Sequence, residues 1–133
     1  MNKKKIIIAS VGHSNKPVAV FLETLKKHKI EVLVDVRTTP VSRYCPYFNK
    51  NALQDTLNKV DIKYLYRGKN LGGRGVNVAY EETIDELVSL ARKGASVCMM
   101  CSEKSFKDCH RYITLTPSFE ERGITVNHIE YEN

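Results

Sequence analysis

Two nearly continuous apolar runs, Lys5 to Val11 and Glu31 to Val36, flank a segment in which Val18, Phe21, Leu22 and Leu25 recur at i, i+3, i+4 and i+7. The runs have the length and β-branched content of parallel strands covered on both faces, and the periodic segment is one apolar helix face. Ser14 or Asn15 is predicted to cap that helix, with Pro17 in its first turn. Strand, helix and strand make a first βαβ unit.

The alternation continues along the chain. Asn49 to Asn58 predicts a shorter helix and Ile62 to Tyr66 a strand. Ile84, Leu87, Val88 and Ala91 define another amphipathic helix, ended by Gly94. Ser96 to Met100 follows as a buried strand, then a helix opening near Asp108, then Ile124 to Ile129 as a last strand. Pro117 interrupts the final helix pattern, so a kink or a restart with Thr116 as the new cap is expected. The pattern predicts a single compact α/β domain over residues 1–133, Rossmann-like, with a mainly parallel sheet of about five strands and helices on both faces.

At 133 residues, 42% hydrophobic and 27% charged, the chain is long enough to bury a core of its own. The triplet Lys3-Lys4-Lys5 precedes the apolar IIIASVG, but that run is short and passes into the polar GHSN, so it reads as a strand rather than a leader. No apolar run reaches the ~20 residues that cross a bilayer, so no membrane association is expected and a cytoplasmic location with reduced cysteines is. The formal charge of +6 admits anionic ligands, although lysines on solvated helix faces, such as Lys26, Lys27 and Lys29, account for most of the excess.

Open α/β sheets bind ligands outside the carboxyl ends of their strands, where loops and helix starts converge. The unusual residues fall there. Gly12, His13 and Ser14 follow the first strand; Asp35 and Arg37, then Ser42 and Arg43, follow the second; Arg67 and LGGRG, with Gly72, Gly73 and Gly75, follow the third; Cys101 and Glu103 follow the fourth. His13, Asp35, Arg37, Cys101 and Arg111 are therefore expected to meet at one sheet edge. Each has an ordinary alternative. His13 can hold a loop, Asp35 and Arg37 can form a structural ion pair, and the glycines can serve positive φ in a turn. LGGRG matches neither GxGxxG nor GxxxxGK[ST].

The stretch CSEKSFKDCHR, residues 101–111, concentrates chemistry. Cys98 and Cys101 have CxxC spacing, but residues three apart in a strand point to opposite faces, so no metal site is expected. A thiol role fits better. Cys101 emerges at a strand end, and Cys109 is read at a helix start, where the positive helix terminus, His110 and Arg111 favour thiolate. Arg111 is a candidate anion ligand, with Glu103 and Asp108 to orient it. Cys98, in mid-strand, reads as a packing residue, and packing is the plain alternative for the other two.

Jointly, Gly12-His13-Ser14, Asp35-Val36-Arg37 with Pro40 and Ser42, Phe48-Asn49-Lys50, Leu71-Gly72-Gly73, Cys101 with Glu103, and Cys109-His110-Arg111 resemble the DUF488 family of bacterial and archaeal proteins. The resemblance runs from Ile7 to Ile129. It implies a compact α/β domain and no particular activity. Ser102 and the Pro117 region depart from the pattern, and neither is expected to touch the candidate site.

Two functional classes follow. The first is an enzyme, a thiol- or carboxylate-dependent hydrolase or transferase without cofactor, whose pocket holds an anionic small molecule such as a nucleotide, sugar phosphate or other phosphoester. Arg37 and Arg111 bind the anion, with Gly12, Ser14, Ser42, Arg43, Gly72 and Gly73 lining the pocket; Cys101 or Cys109 is the nucleophile, and His13 or His110 the acid or base. A carboxylate mechanism would use Asp35 and Glu103. Nine residues separate Cys101 from Arg111 and one separates Cys109 from it, so the Cys-x5-Arg loop of thiol phosphatases is absent. The second class is a nucleic-acid-binding module, read from residues 37–50, where Arg37, Arg43 and Lys50 interleave with Tyr44, Tyr47 and Phe48.

Overall fold

The computed structural model describes residues 5–103, 109 and 111–131, with Arg111 and Tyr112 described in their backbone only. Five parallel strands form one sheet: β1 (Ile7–Gly12), β2 (Val32–Asp35), β3 (Lys63–Tyr66), β4 (Val97–Cys101) and β5 (Thr125–His128), in the order β3-β2-β4-β1-β5. Strand β4 therefore inserts between β1 and β2. Each strand lies within two residues of its predicted range; the central β1, β2 and β4 are buried along nearly their whole length, as expected of strands covered on both faces, whereas the edge strands β3 and β5 are only partly buried.

Helices cover both faces. α1 (Val18–Lys27) and α2 (Lys50–Asn58) send Phe21, Leu25, Leu53 and Leu57 onto the face carrying Ala9, Val11, Leu33, Cys98 and Met100. On the opposite face, α3 (Gly68–Leu71), α4 (Tyr80–Arg92) and α5 (Thr116–Glu120) place Leu71, Ile84, Leu87 and Phe119 against Ile8, Val34, Val97, Met99 and Cys101. Cys98 and Cys101 thus point to opposite faces. Leu25, Leu53, Leu57, Ile84 and Leu87 are fully buried, each contributing about 1.5–3 kcal/mol of transfer free energy. No helix among the described residues is long and apolar enough to cross a membrane.

Local details differ from expectation at both ends of the chain. Ser14 does not cap α1: it sits at φ +51° in a turn closed by Lys16 N–H on the His13 carbonyl (3.2 Å), and Pro17 takes the cap position with no side-chain hydrogen bond. Nor does Thr116 cap α5. A π-helical turn, Arg111–Leu115, leads into α5 through Leu115 in helical geometry, and Pro117 falls in the first turn, where its missing N–H costs nothing. The Thr116 hydroxyl instead lies 3.3 Å from His128 Nε2. The helix opening expected near Asp108 lies outside the described residues.

The crossovers locate a crevice. After β2 the chain turns to the α2 face; after β4 it turns to the α5 face. Adjacent strands whose connections leave on opposite sides open a gap at their carboxyl ends, the topological switch point.

Candidate functional site

On the α1/α2 side of that gap, charge is packed and closed off. Asp35 is fully buried at the end of β2. Two residues on, Arg37 folds back on it: Nε donates to Oδ1 (2.9 Å), Nη2 to Oδ2 (2.7 Å), and the Arg37 backbone N–H to Oδ1 (3.0 Å). Tyr64 donates its hydroxyl to Asp35 Oδ2 at 2.6 Å. Nη2 also donates to the Phe48 carbonyl (2.7 Å), and Nη1 lies 3.4 Å from His13 Nε2. Four of the five guanidinium hydrogens are thus committed, and one Nη1 hydrogen has no acceptor among the described residues.

His13 completes this cluster. It is 3% exposed, stacked on Phe48 with ring centroids 4.3 Å apart, and its Nδ1 lies 2.7 Å from the Ser14 carbonyl. A carbonyl only accepts, so Nδ1 carries the proton and Nε2 faces Arg37 as an acceptor. Burial pushes the His13 pKa down to about 4, the Arg37 charge acts the same way, and the Ser14 hydrogen bond opposes both. Burial, then the Asp35 carboxylate, push the Tyr64 phenol up.

The other side is open. A cleft of about 530 Å³, within the range of small-molecule sites, is bounded by Arg37, Thr38, Thr39 and Val41 after β2, by Gly73 and Arg74 after α3, and by Cys101, Ser102, Glu103 and Cys109 after β4. The Cys101 and Cys109 sulfurs are 2.9 Å apart, both as thiols, and Cys101 Sγ lies 3.8 Å from the Glu103 carbonyl. Backbone bonds fix the floor: Val36 N–H to the Met100 carbonyl (3.0 Å), His13 N–H to Cys101 (2.9 Å) and Ser14 N–H to Ser102 (3.0 Å). The Thr38 hydroxyl ties the far wall in place, accepting from the Arg74 N–H at 3.2 Å.

Of the residues expected to converge, His13, Asp35, Arg37 and Cys101 meet at one edge. Arg111 opens the π-helical turn, its side chain lying outside the description, and His110 and Asp108 also lie outside the described residues. Among the described residues, Arg37, Gly73, Cys101, Glu103 and Cys109 of the candidates line the cleft, and so does Ser102, which the sequence placed away from the site; Asp35 and His13 stand behind Arg37. Ser42 serves its own loop, its N–H donating to Asn49 Oδ1 (2.6 Å) and its hydroxyl accepting from Cys45 N–H (3.1 Å). Arg43 is exposed, and the Gly12 carbonyl accepts from the Tyr131 hydroxyl (2.6 Å). Arg67 is clamped by Glu86 of α4 through Nε–Oε1 (2.8 Å) and Nη2–Oε2 (2.9 Å).

The glycines divide by cause. Gly75 has the positive φ (+74°) expected of LGGRG, whereas Gly72 has φ −68° and is glycine because a Cβ would lie 2.2 Å from Thr38 Oγ1. Gly68, which sequence reasoning passed over, is tighter still: its Cβ would fall 1.8 Å from the Arg37 carbonyl oxygen. Arg74, Thr38 and Tyr64 were also missed. A basic residue inside a glycine-rich loop after β3 was the available signal for Arg74. Among the described residues, no group of three or more His, Cys, Asp or Glu is placed to hold a metal ion.

A family model described as "Domain of unknown function DUF488" matches residues 17–79 and 75–116. No curated protein and no solved structure matches the chain at a significant level.

Proposed function

The chain belongs to the DUF488 family, and we propose that it is an enzyme that binds an anionic small molecule in the cleft between β2 and β4 and acts on it through the Cys101 and Cys109 thiols. The carrying observation is the pair of sulfurs 2.9 Å apart on a cleft wall that also presents Arg74. A thiolate beside a second thiol accepts its S–H hydrogen bond, which favours the charged, nucleophilic form.

Arg74 supplies the anion's counter-charge, since Arg37 is neutralised by Asp35 and offers one remaining N–H. Thr39 and Ser102 add hydroxyl donors on the cleft wall. Asp35, His13 and Tyr64 act as positioning groups: they fix the Arg37 plane and, through it, the shape of the floor. This division favours the thiol route over a carboxylate mechanism through Asp35, which has no path to a ligand.

The basic and aromatic loop gives weaker support to nucleic-acid binding. Phe48 is buried beneath His13 and the Tyr47 hydroxyl donates to the Lys16 carbonyl (3.2 Å), leaving Tyr44, 88% exposed, as its one open ring. Single-strand binders stack successive bases on several rings.

The test is thermal unfolding with inorganic phosphate, nucleoside monophosphates and hexose phosphates, each against chloride at equal ionic strength. A bound anion raises the midpoint. Arg74→Ala should abolish that rise for the anion that gives it. A panel with no effect, or an equal rise in Arg74→Ala, would refute the reading.

A further inference from the structure

We infer that Cys101 and Cys109 form a two-electron dithiol/disulfide couple, and that the molecule received by the cleft is a small anionic disulfide, which the protein reduces. The inference rests on the cleft reading above and gives it a substrate class.

The two sulfurs come from different segments, one at the carboxyl end of β4 and one beyond Glu103, and face each other across 2.9 Å. Closing that gap to the ~2.05 Å of a covalent bond takes about 0.9 Å, a local adjustment of side chains. Cys98 and Cys45 belong to the cluster on the opposite face of the sheet, away from the cleft. The pair therefore stands apart from the other thiols by position.

Both residues are only 3% exposed, yet both line the cleft. Among the described residues the cleft is the route by which a reagent reaches them, so its charge and size are read by Arg74 and the Thr38–Arg74 wall before reaction. A single nucleophilic thiol would suffice for acyl or phosphoryl transfer. A second at this distance is what a resolving step requires.

The reaction balances as follows. One thiolate attacks a sulfur of X–S–S–X; the S–S bond breaks, X–S⁻ leaves and takes up the proton released by the attacking thiol, and a mixed protein–S–S–X disulfide forms. The second thiolate attacks the protein sulfur of that bond, expelling the second X–S⁻, which is likewise protonated. The protein loses two electrons and two protons; the substrate gains both and leaves as two X–SH. A thiol reductant then restores the dithiol by the reverse exchange.

The experiment incubates the folded, reduced protein with glutathione disulfide, an anion, or with hydroxyethyl disulfide, which is neutral, then traps remaining thiols with iodoacetamide and maps peptides by mass spectrometry. The expected product is a Cys101–Cys109 disulfide with two equivalents of glutathione released, formed at least tenfold faster from the anionic reagent. In Arg74→Ala that preference should vanish. Cys109→Ser and Cys101→Ser should each stop at a mixed disulfide. A stable mixed disulfide in the unsubstituted protein, or no reaction before unfolding, overturns the couple, and equal rates with both reagents overturn the substrate class. The unsubstituted protein alone decides these outcomes should a serine variant not fold. Anion stabilisation without disulfide formation would sink this inference and leave the cleft reading standing; loss of both would sink both.

Discussion

The two sides of the crevice use polar residues in opposite ways. Toward α1 and α2, Asp35, Arg37, Tyr64 and His13 spend nearly all their hydrogen-bonding capacity on one another and on the Phe48 carbonyl. Toward α5, two thiols, Arg74 and Glu103 face open volume. The residues that look most catalytic by type are thus held within the packing, while the two thiols line the cleft proposed as the reaction site. A titratable residue at a sheet's carboxyl edge earns a catalytic role only if its partners leave something over.

The largest effect should come from breaking the closed side. Asp35→Asn leaves the Arg37 charge buried without its counter-ion and should cost about 3–5 kcal/mol in denaturant unfolding. A loss under ~1 kcal/mol would mean that Arg37 is solvated from the cleft, and the contrast would fail.

Next is pH. His13 has its folded pKa lowered to about 4 from an ordinary 6.5, so the unfolded chain binds a proton first as pH falls. The stability that neutral His13 contributes is complete above pH 6.5 and is lost progressively down to about pH 4, by about 3 kcal/mol in all. Urea unfolding between pH 7 and 4.5 should show a steeper decline for the unsubstituted protein than for His13→Gln. Parallel curves would place His13 in contact with water.

Gly68→Ala comes third. Its methyl group meets the Arg37 carbonyl, which the backbone must move to relieve, at about 2–3 kcal/mol. Because that shift transmits to the guanidinium, phosphate stabilisation should weaken too. The smallest effect on stability belongs to Thr38→Val, which removes the hydroxyl that accepts from Arg74 N–H: about 0.5–1.5 kcal/mol in unfolding. It should nonetheless lower the affinity of the anion found by thermal shift, sharpening the contrast between the closed side and the proposed binding side.

How far these features can be read from sequence depends on where their partners lie. The three central strands were legible because Ile7–Gly12, Val32–Asp35 and Val97–Cys101 are nearly continuous apolar runs, a pattern helices do not mimic at that length, whereas the partly buried edge strands β3 and β5 carry that signal more weakly. The placement of Asp35, Arg37, His13 and Cys101 at one edge followed from the strand-end rule. What closes the Asp35–Arg37 pair did not: the Phe48 carbonyl has no side-chain signature, and Tyr64 reads as an ordinary strand aromatic until β2 and β3 are in register. Gly68 was hidden for a similar reason, since the atom that excludes its Cβ belongs to a residue 31 positions away. The turn at Arg111–Leu115 eluded pattern because Pro117 signals a break, whereas the π-helical turn carries the chain through to α5.

The insertion of β4 between β1 and β2 has a temporal consequence. The first βαβ unit supplies two strands that are not neighbours, and the slot between them is filled only by residues 97–101, some sixty residues later. As the chain leaves a ribosome, both flanking edges wait unpaired, exposing backbone groups that recruit foreign strands. The crevice between β2 and β4 is therefore completed only when β4 enters the slot, so the capacity to bind a ligand should appear at that step, and β5, which pairs with β1 at the far edge, adds outside it. A ligand of the cleft, present during refolding, would then report the entry of β4 into the sheet.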